Sequence, residues 1–289
     1  MPELPEVETI LNGLSAALAG RRIISTEVRR DLRWPVPDDL SIRADGKKIG
    51  AATRLGKYML ISLMRGPTLL IHLGMSGRIR ITPKPEKGPA YRPLTHEHVS
   101  ILLDNGTYIG LVDPRRFGCL LLADAGRERD HVLLRSLGAD PLGPEFDAAY
   151  LYARLNRKRA PIKTALLDQR VIAGLGNIYV CEILYRAAIN PQRLASSLSM
   201  DEIALIARVT PEVLREAIGA GGSTLRDYVD AQGKPGAFQD LHLVYGREGE
   251  PCPECPGYPA CGGIRRVVQS GRSSFFCPRR QPPLSLEDA

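Results

Sequence analysis

The 289-residue sequence contains no run of 18 or more apolar residues, so no segment reads as a membrane-spanning helix. Its opening, MPELPEVETI, is acidic and lacks the basic start of a secretory signal, which points to a cytoplasmic protein. No internal repeat is visible. Cysteine is sparse, six in all, and an apolar content of 44% allows a core that does not depend on disulfides. Cys119 and Cys181 sit inside apolar runs and read as core residues. The other four, Cys252, Cys255, Cys261 and Cys277, crowd together near the C-terminus. In a reducing compartment that crowding favours a metal over disulfides.

Acidic charge is in deficit. Lys and Arg number 39 against 32 Asp and Glu, a net charge of +7 that suits a polyanionic partner. The distribution says more than the sum. Residues 251–280 hold Arg265, Arg266, Arg272, Arg279 and Arg280 against one acid, Glu254, and a second cluster comprises Arg154, Arg157, Lys158, Arg159 and Lys163. Nucleic acid is the leading partner class.

The length suits two domains and a small module. In the first half, Val7, Ile10, Leu11, Leu14 and Leu18 repeat at helical spacing, with Gly20 placed to stop the helix. Short β-like runs follow: KYMLISLM, TLLIHLGMSGRIRI, HVSILLD and TYIGLV, the last two joined through Asn105-Gly106, a hairpin signal. Regularly spaced strands of this kind suggest a sandwich or barrel. The Gly/Pro stretch LGADPLGPEFD marks a linker, and beyond it the apolar spacing becomes helical. TALLDQRVIAGLGNIYVCEILYRA holds two helical stretches broken at Gly174–Asn177, and Ser199 to Glu202 forms a candidate capping box. The expected fold is α+β: an N-terminal β-sandwich domain with an N-terminal helix (1–136), a linker (137–150), a helical domain (151–243), a terminal hairpin (244–281) and a disordered tail (282–289).

The start of the chain also carries potential chemistry. Removal of Met1 would expose Pro2 as a secondary amine, and an α-amino group titrates near pKa ~8, so a useful fraction is unprotonated at neutral pH. Such an amine attacks an aldehydic carbon to give an iminium, and Glu3 and Glu6 stand close enough in sequence to move protons. The same residues are explained more simply by a proline in the first turn of a helix, with acids complementing its dipole.

The motifs in their order along the chain are more specific. PELPEVET is followed by LGKYML at 55–60, HLGMSGRIR at 72–80, DPRRFG at 113–118, GLGNIYVCE at 174–182, GKPGAF at 233–238 and VYGREGEPC at 244–252. Together they resemble the formamidopyrimidine-DNA glycosylases over nearly the whole chain. The resemblance implies a base-excision-repair glycosylase and abasic-site lyase in which Pro2 attacks C1′, Glu3 transfers protons at the sugar, Glu6 supports the site and strand residue Lys57 holds phosphate. It implies that Met75, Arg115 and Phe117 fill the gap left by an extruded base; Met and Phe can wedge between bases while Arg bonds the orphaned partner. Their glycine-flanked setting reads as loop tips. It further implies a helix–two-turns–helix element with Asn177 on phosphate, further grip from Arg116, Lys234 and Arg272, and a loop at 221–238 that closes over the flipped base. The implied partner is double-stranded DNA with oxidised bases or abasic sites, bound by a nucleoid-associated monomer. Oxidised purines are the implied substrates, with an endonuclease VIII-like pyrimidine glycosylase and a non-catalytic DNA-binding relative as alternatives.

The terminal hairpin departs from the family. Its last Cys-x-x-Cys knuckle reads Cys277-Pro278-Arg279-Arg280, with Arg280 in the final ligand position. Cys261 is an added cysteine, so Cys252, Cys255, Cys261 and Cys277 still supply the four thiolates of a closed tetrahedral zinc site. A zinc-free hairpin, or a site completed by His242, are the alternatives. On this reading Arg272 marks the hairpin tip and Arg280 adds a basic contact for DNA.

Overall fold

The computed structural model describes residues 1–84, 91–224, 228–231, 233–255 and 261–283. They form two compact units, Met1–Arg135 with Ile218–Ala237, and Ser136–Ala217 with Phe238–Ala289. Residues 218–237, read from sequence as part of the helical domain, thus cluster with the N-terminal unit. Of the tail expected to be disordered, residues 284–289 lie outside the described residues.

The first unit opens with α1 (Leu4–Leu18), whose buried positions Leu4, Val7, Ile10, Leu11, Leu14 and Leu18 make one apolar stripe. The chain leaves it through Gly20, at φ +70°. Then follow β1 (Ile23–Val28), α2 (Leu40–Ala44), β2 (Ile49–Leu55), β3 (Tyr58–Leu63), β4 (Thr68–His72), β5 (Arg78–Thr82), β6 (Glu97–Leu103), β7 (Tyr108–Val112) and β8 (Cys119–Ala123). These strands make two four-stranded antiparallel sheets, ordered β1-β6-β7-β5 and β2-β3-β4-β8. Ile23, Val99, Ile101 and Leu111 of the first sheet share one core with Met59, Ile61, Leu69 and Ile71 of the second and with the stripe of α1. Antiparallel sheets with one buried face keep the strand alternation seen in β3, where every second residue is buried. The β6–β7 turn is made at Asn105-Gly106, with Gly106 at φ +81° and Asn105 Oδ1 accepting the Thr107 N–H at 3.1 Å.

The second unit contains α3 (Ala148–Leu155), α4 (Ile162–Leu167), α5 (Asn177–Arg186) and most of α6 (Met200–Gly219), and the hairpin β9 (Arg265–Gln269) and β10 (Arg272–Phe276). α3 starts inside the stretch read as linker because Asp147 caps it, accepting the Tyr150 N–H at 2.7 Å. The capping box ahead of α6 is reciprocal: Glu202 Oε2 accepts the Ser199 N–H and Ser199 Oγ accepts the Glu202 N–H. Between α4 and α5 the chain turns around Gln169, whose amide donates to the Leu167 and Leu175 carbonyls and accepts the Gly174 N–H. The terminal hairpin turns at Ser270-Gly271, both with positive φ, the pairing a two-residue type I′ turn requires. Among the described residues, no helix is long and apolar enough to cross a membrane.

Candidate active site and nucleic-acid interface

The N-terminal end of α1 gathers polar groups under cover. Pro2, Glu3 (5% exposed) and Glu6 (2%) are buried while Met1 is half-exposed. Glu3 and Glu6 close a capping box on each other's backbone: the Glu3 carboxylate accepts the Glu6 N–H, and Glu6 Oε2 accepts the Glu3 N–H at 2.8 Å. Two carboxylates at this end also meet the positive pole of the helix. Glu6 reaches further, its Oε1 accepting the Ser223 N–H at 2.8 Å. Gly222 is required beside it, because a Cβ there would lie 2.9 Å from that oxygen and its φ is +79°. Gly222 and Ser223 are thus seated on a catalytic candidate. Tyr228 adds a second tie, its hydroxyl donating to the Gly221 carbonyl at 3.0 Å. Burial and then the Glu6 charge raise that phenol well above its ordinary range.

Lys57 lies in the β2–β3 turn, not on a strand as the sequence suggested, because Gly56 takes φ +58° and reverses the chain there. It is 6% exposed. Arg54 braces the turn against α1, pairing with Glu8 at 2.5 Å and donating to the Gly56 carbonyl at 3.2 Å.

His72, inside a quoted motif but given no role from sequence, joins this neighbourhood. It pairs with Tyr58 across β3 and β4. Burial, then the Lys57 charge, lower its pKa to about 4. The ring is therefore neutral at pH 7. Its Nδ1 accepts the Gly74 N–H at 3.0 Å, so Nε2 carries the proton and stands as a donor. A single histidine ending a strand leaves no sequence signal for this.

The three gap-filling candidates stand out from the surface of the same unit. Met75 is 46% exposed and Phe117 41%, unusual for large apolar side chains. The Arg115 guanidinium lies 4.7 Å over the Phe117 ring. Arg116 is exposed and adopts φ +55°.

In the second unit, Asn177 begins α5 and its amide donates to the Ser273 carbonyl at 2.9 Å. Arg272, the preceding residue, is exposed at the hairpin turn. Lys163, grouped from sequence with the basic cluster from Arg154 to Lys163, is fully buried and donates to Ser273 O and Ser274 Oγ at 2.7 Å each. Its charge pins β10 to α4. In the loop that belongs to the first unit, Lys234 is exposed on a turn whose backbone bonds run to Asp230.

The four C-terminal cysteines converge. Sγ atoms of Cys252, Cys255, Cys261 and Cys277 all lie within 4.8 Å of one another, Cys255 and Cys277 at 3.9 Å. Four thiolates at ~2.3 Å from a tetrahedral ion would stand about 3.8 Å apart, so the set fits a metal with slight contraction. His242 is not in the group; it packs edge-on between Phe238 and Tyr245.

Residues 1–120 match the formamidopyrimidine-DNA glycosylase N-terminal domain, and residues 137–229 match the H2TH domain of the same enzymes. The chain belongs to the formamidopyrimidine-DNA glycosylase family. A formamidopyrimidine-DNA glycosylase of Gluconobacter oxydans is 50% identical over 283 residues, spanning 97% of this chain and 100% of its own. The solved MutM (Fpg) protein of Thermus thermophilus superposes with a TM-score of 0.83 at 40% identity, over 97% of this chain and 98% of its own. A Lactococcus lactis Fpg variant in complex with Fapy-dG-containing DNA gives 0.84 at 32% identity, over 98% and 100%.

In the hairpin of this glycosylase, Arg280 has a structural task. Arg280 does not face outward as an extra basic contact. Its Nε donates to the Tyr185 carbonyl at 3.0 Å and a terminal nitrogen to the Arg186 carbonyl at 3.4 Å. The guanidinium also lies 5.0 Å over the Tyr185 ring and pairs with Glu254 at 3.0 Å. Two carbonyls in the last turn of α5 thereby gain a cationic partner, the Tyr185 carbonyl in addition to the Ala188 N–H it accepts at 3.0 Å. The Tyr185 hydroxyl in turn meets Cys252 Sγ at 3.1 Å, and the Arg280 N–H meets Cys277 Sγ at 3.4 Å. A second brace is Glu182, fully buried on α5, whose carboxylate accepts the N–H groups of Leu243, Val244 and Tyr245 at 2.8–3.0 Å. The cysteine cluster is fastened to the helix that begins with Asn177.

Proposed function

We propose that this glycosylase excises oxidised purines, 8-oxoguanine and formamidopyrimidines, from double-stranded DNA and then nicks the strand. The observation that supports it most is the burial of Pro2, Glu3 and Glu6 at one helix terminus, with Lys57 buried on a turn braced to that helix. With Met1 removed, the Pro2 nitrogen attacks C1′ of the damaged nucleotide, the C1′–base bond breaks and the base leaves with the bonding pair. Glu3 delivers a proton to the sugar ring oxygen as the ring opens, giving an iminium between Pro2 and C1′. That electron sink lets a C2′ proton depart and the 3′-phosphate leave by β-elimination, and the 5′-phosphate then leaves by δ-elimination. Lys57 holds phosphate and supplies protons, and Glu6 couples the site to the loop that closes over the extruded base.

The DNA-binding roles follow the same reading. Met75, Arg115 and Phe117 enter the gap in the duplex, which is one way an enzyme offsets the few kcal/mol needed to extrude a base. Asn177, Arg116, Lys234 and Arg272 contact the backbone. The four thiolates hold one structural zinc ion, since an all-sulfur tetrahedral donor set suits that metal. The protein acts as a monomer on the nucleoid, in the cytoplasm.

Borohydride reduction on an 8-oxoguanine:C duplex tests the reading. The mature protein should form a covalent adduct, and Pro2→Gly should form none and leave the strand intact. No adduct from the wild-type protein would leave only a DNA-binding relative. Faster cleavage of thymine glycol than of 8-oxoguanine in matched duplexes would move the substrate class to oxidised pyrimidines.

A further inference from the structure

Two loops carry the three exposed gap-filling residues. Residues 73–77, between β4 and β5, hold Met75, and residues 113–118, between β7 and β8, hold Arg115 and Phe117. Neither Met75 nor Phe117 is buried, so their own side chains do not anchor these loops. What joins them is Asp113, whose side chain is fully enclosed. Its Oδ1 accepts the Ser76 hydroxyl at 2.9 Å and the Arg115 N–H at 3.3 Å, and its Oδ2 accepts the Gly118 N–H at 2.8 Å. Its main chain is held as firmly. The Asp113 N–H donates to the His96 carbonyl, while its own carbonyl accepts the Arg116 N–H and His98 Nε2–H. The loops also meet backbone to backbone: a Cβ on Gly74 would sit 2.4 Å from the Phe117 carbonyl carbon and 2.5 Å from the Gly118 nitrogen.

We propose that Asp113 is a positioning residue that joins the Met75 and Arg115–Phe117 loops into one preassembled wedge, which enters the duplex as a unit. The inference rests on the lesion-excision reading above. A buried carboxylate shared between two loops fixes their separation, because its acceptors cannot be replaced by water once enclosed. Preassembly removes the ordering cost that two independent mobile loops would incur on binding DNA. The arrangement assigns a role to the Asp of DPRRFG and the Ser of HLGMSG, neither of which need touch DNA.

Two variants of the full chain test this. Asp113→Asn keeps the volume but turns one acceptor into a donor, and whichever way the amide faces it meets the N–H of Arg115 or of Gly118. Ser76→Ala deletes only the bond between the loops and is far less disruptive to folding. Three readouts separate a wedge role from general damage: single-turnover excision of 8-oxoguanine from duplex, nicking of an abasic site in single-stranded DNA, and fluorescence of 2-aminopurine beside an uncleavable abasic analogue in duplex. Single-stranded DNA has no stack to invade, so its nicking should be unchanged in both variants. Duplex excision should fall, on the order of 100-fold for Asp113→Asn, the scale of a wedge misplaced by about 1 Å, and less for Ser76→Ala. The 2-aminopurine rise should shrink in the same order. Equal losses on single- and double-stranded substrates would overturn the proposal, as would full duplex activity in both variants. The fluorescence arm requires no catalysis, so an unchanged rise in both variants overturns it even if the Pro2 chemistry itself fails the borohydride test.

Discussion

Arg280→Ala separates a helix-end brace from a DNA contact. In the structure the guanidinium donates to two α5 carbonyls, at 3.0 and 3.4 Å, stacks on Tyr185 and pairs with Glu254. The shorter charge-assisted bond contributes about 1.5 kcal/mol and the longer one less. The ring contact adds about 0.5–1 kcal/mol, and the ion pair adds no more than about 0.5 kcal/mol, because Glu254 is 45% exposed. The sum, about 3 kcal/mol, corresponds to roughly a 100-fold change in the equilibrium that opens this end of the hairpin. The variant should keep one zinc per chain, since all four thiols remain, yet surrender it to a chelator up to about 100-fold faster if release proceeds through that opening. Its DNA affinity should keep the wild-type salt dependence, whereas Arg272→Ala should flatten the log–log slope by about one. Unchanged metal release in Arg280→Ala together with a slope reduced by about one would refute the reasoning and return Arg280 to the DNA surface.

The cysteine cluster and His72 give two further outcomes. Cys261→Ser should lose zinc, measured by elemental analysis of the purified chain, because no histidine belongs to the cluster; full zinc occupancy would remove Cys261 from the ligand set. His72 sets a pH dependence. Its pKa falls from 6.5 to about 4 on folding, so the unfolded chain takes up the proton first and stability is lost as pH drops from about 6.5 toward 4. The full loss is up to about 3 kcal/mol. His72→Asn, which sets an oxygen where Nδ1 accepts the Gly74 N–H, should lack that portion of the slope in urea unfolding; parallel curves for the two proteins would count against it.

Features made by neighbours in sequence were legible in advance. The stripe of α1, the Asn105-Gly106 turn and the Ser199–Glu202 box each satisfy their requirements within a few residues. Cysteine content alone named the four converging thiols. Contacts between residues far apart in sequence were not legible. Lys163 lies in a basic run yet is consumed by Ser273 and Ser274, more than a hundred positions away. Nothing local distinguishes it from Lys158, which pairs with Asp168 at the surface. Arg280, Glu182 and Asp113 escaped for the same reason: each takes its role from partners far away in the chain. Lys57 was misplaced because GKYML continues a strand pattern, and only the positive φ of Gly56 turns the chain one residue earlier.

The half-exposed Met1 ahead of the buried Pro2 has a consequence for how this protein is handled. While Met1 remains, the Pro2 nitrogen is a tertiary amide whose lone pair is delocalised into the carbonyl, and it has no nucleophilicity to offer a sugar carbon. On the proposed mechanism the chain stays silent until the Met1–Pro2 bond is cut. A tag or leader fused ahead of Pro2 would keep it silent however well the rest folds, and would mimic a dead enzyme in every trapping assay. A fusion at the opposite end leaves the amine free.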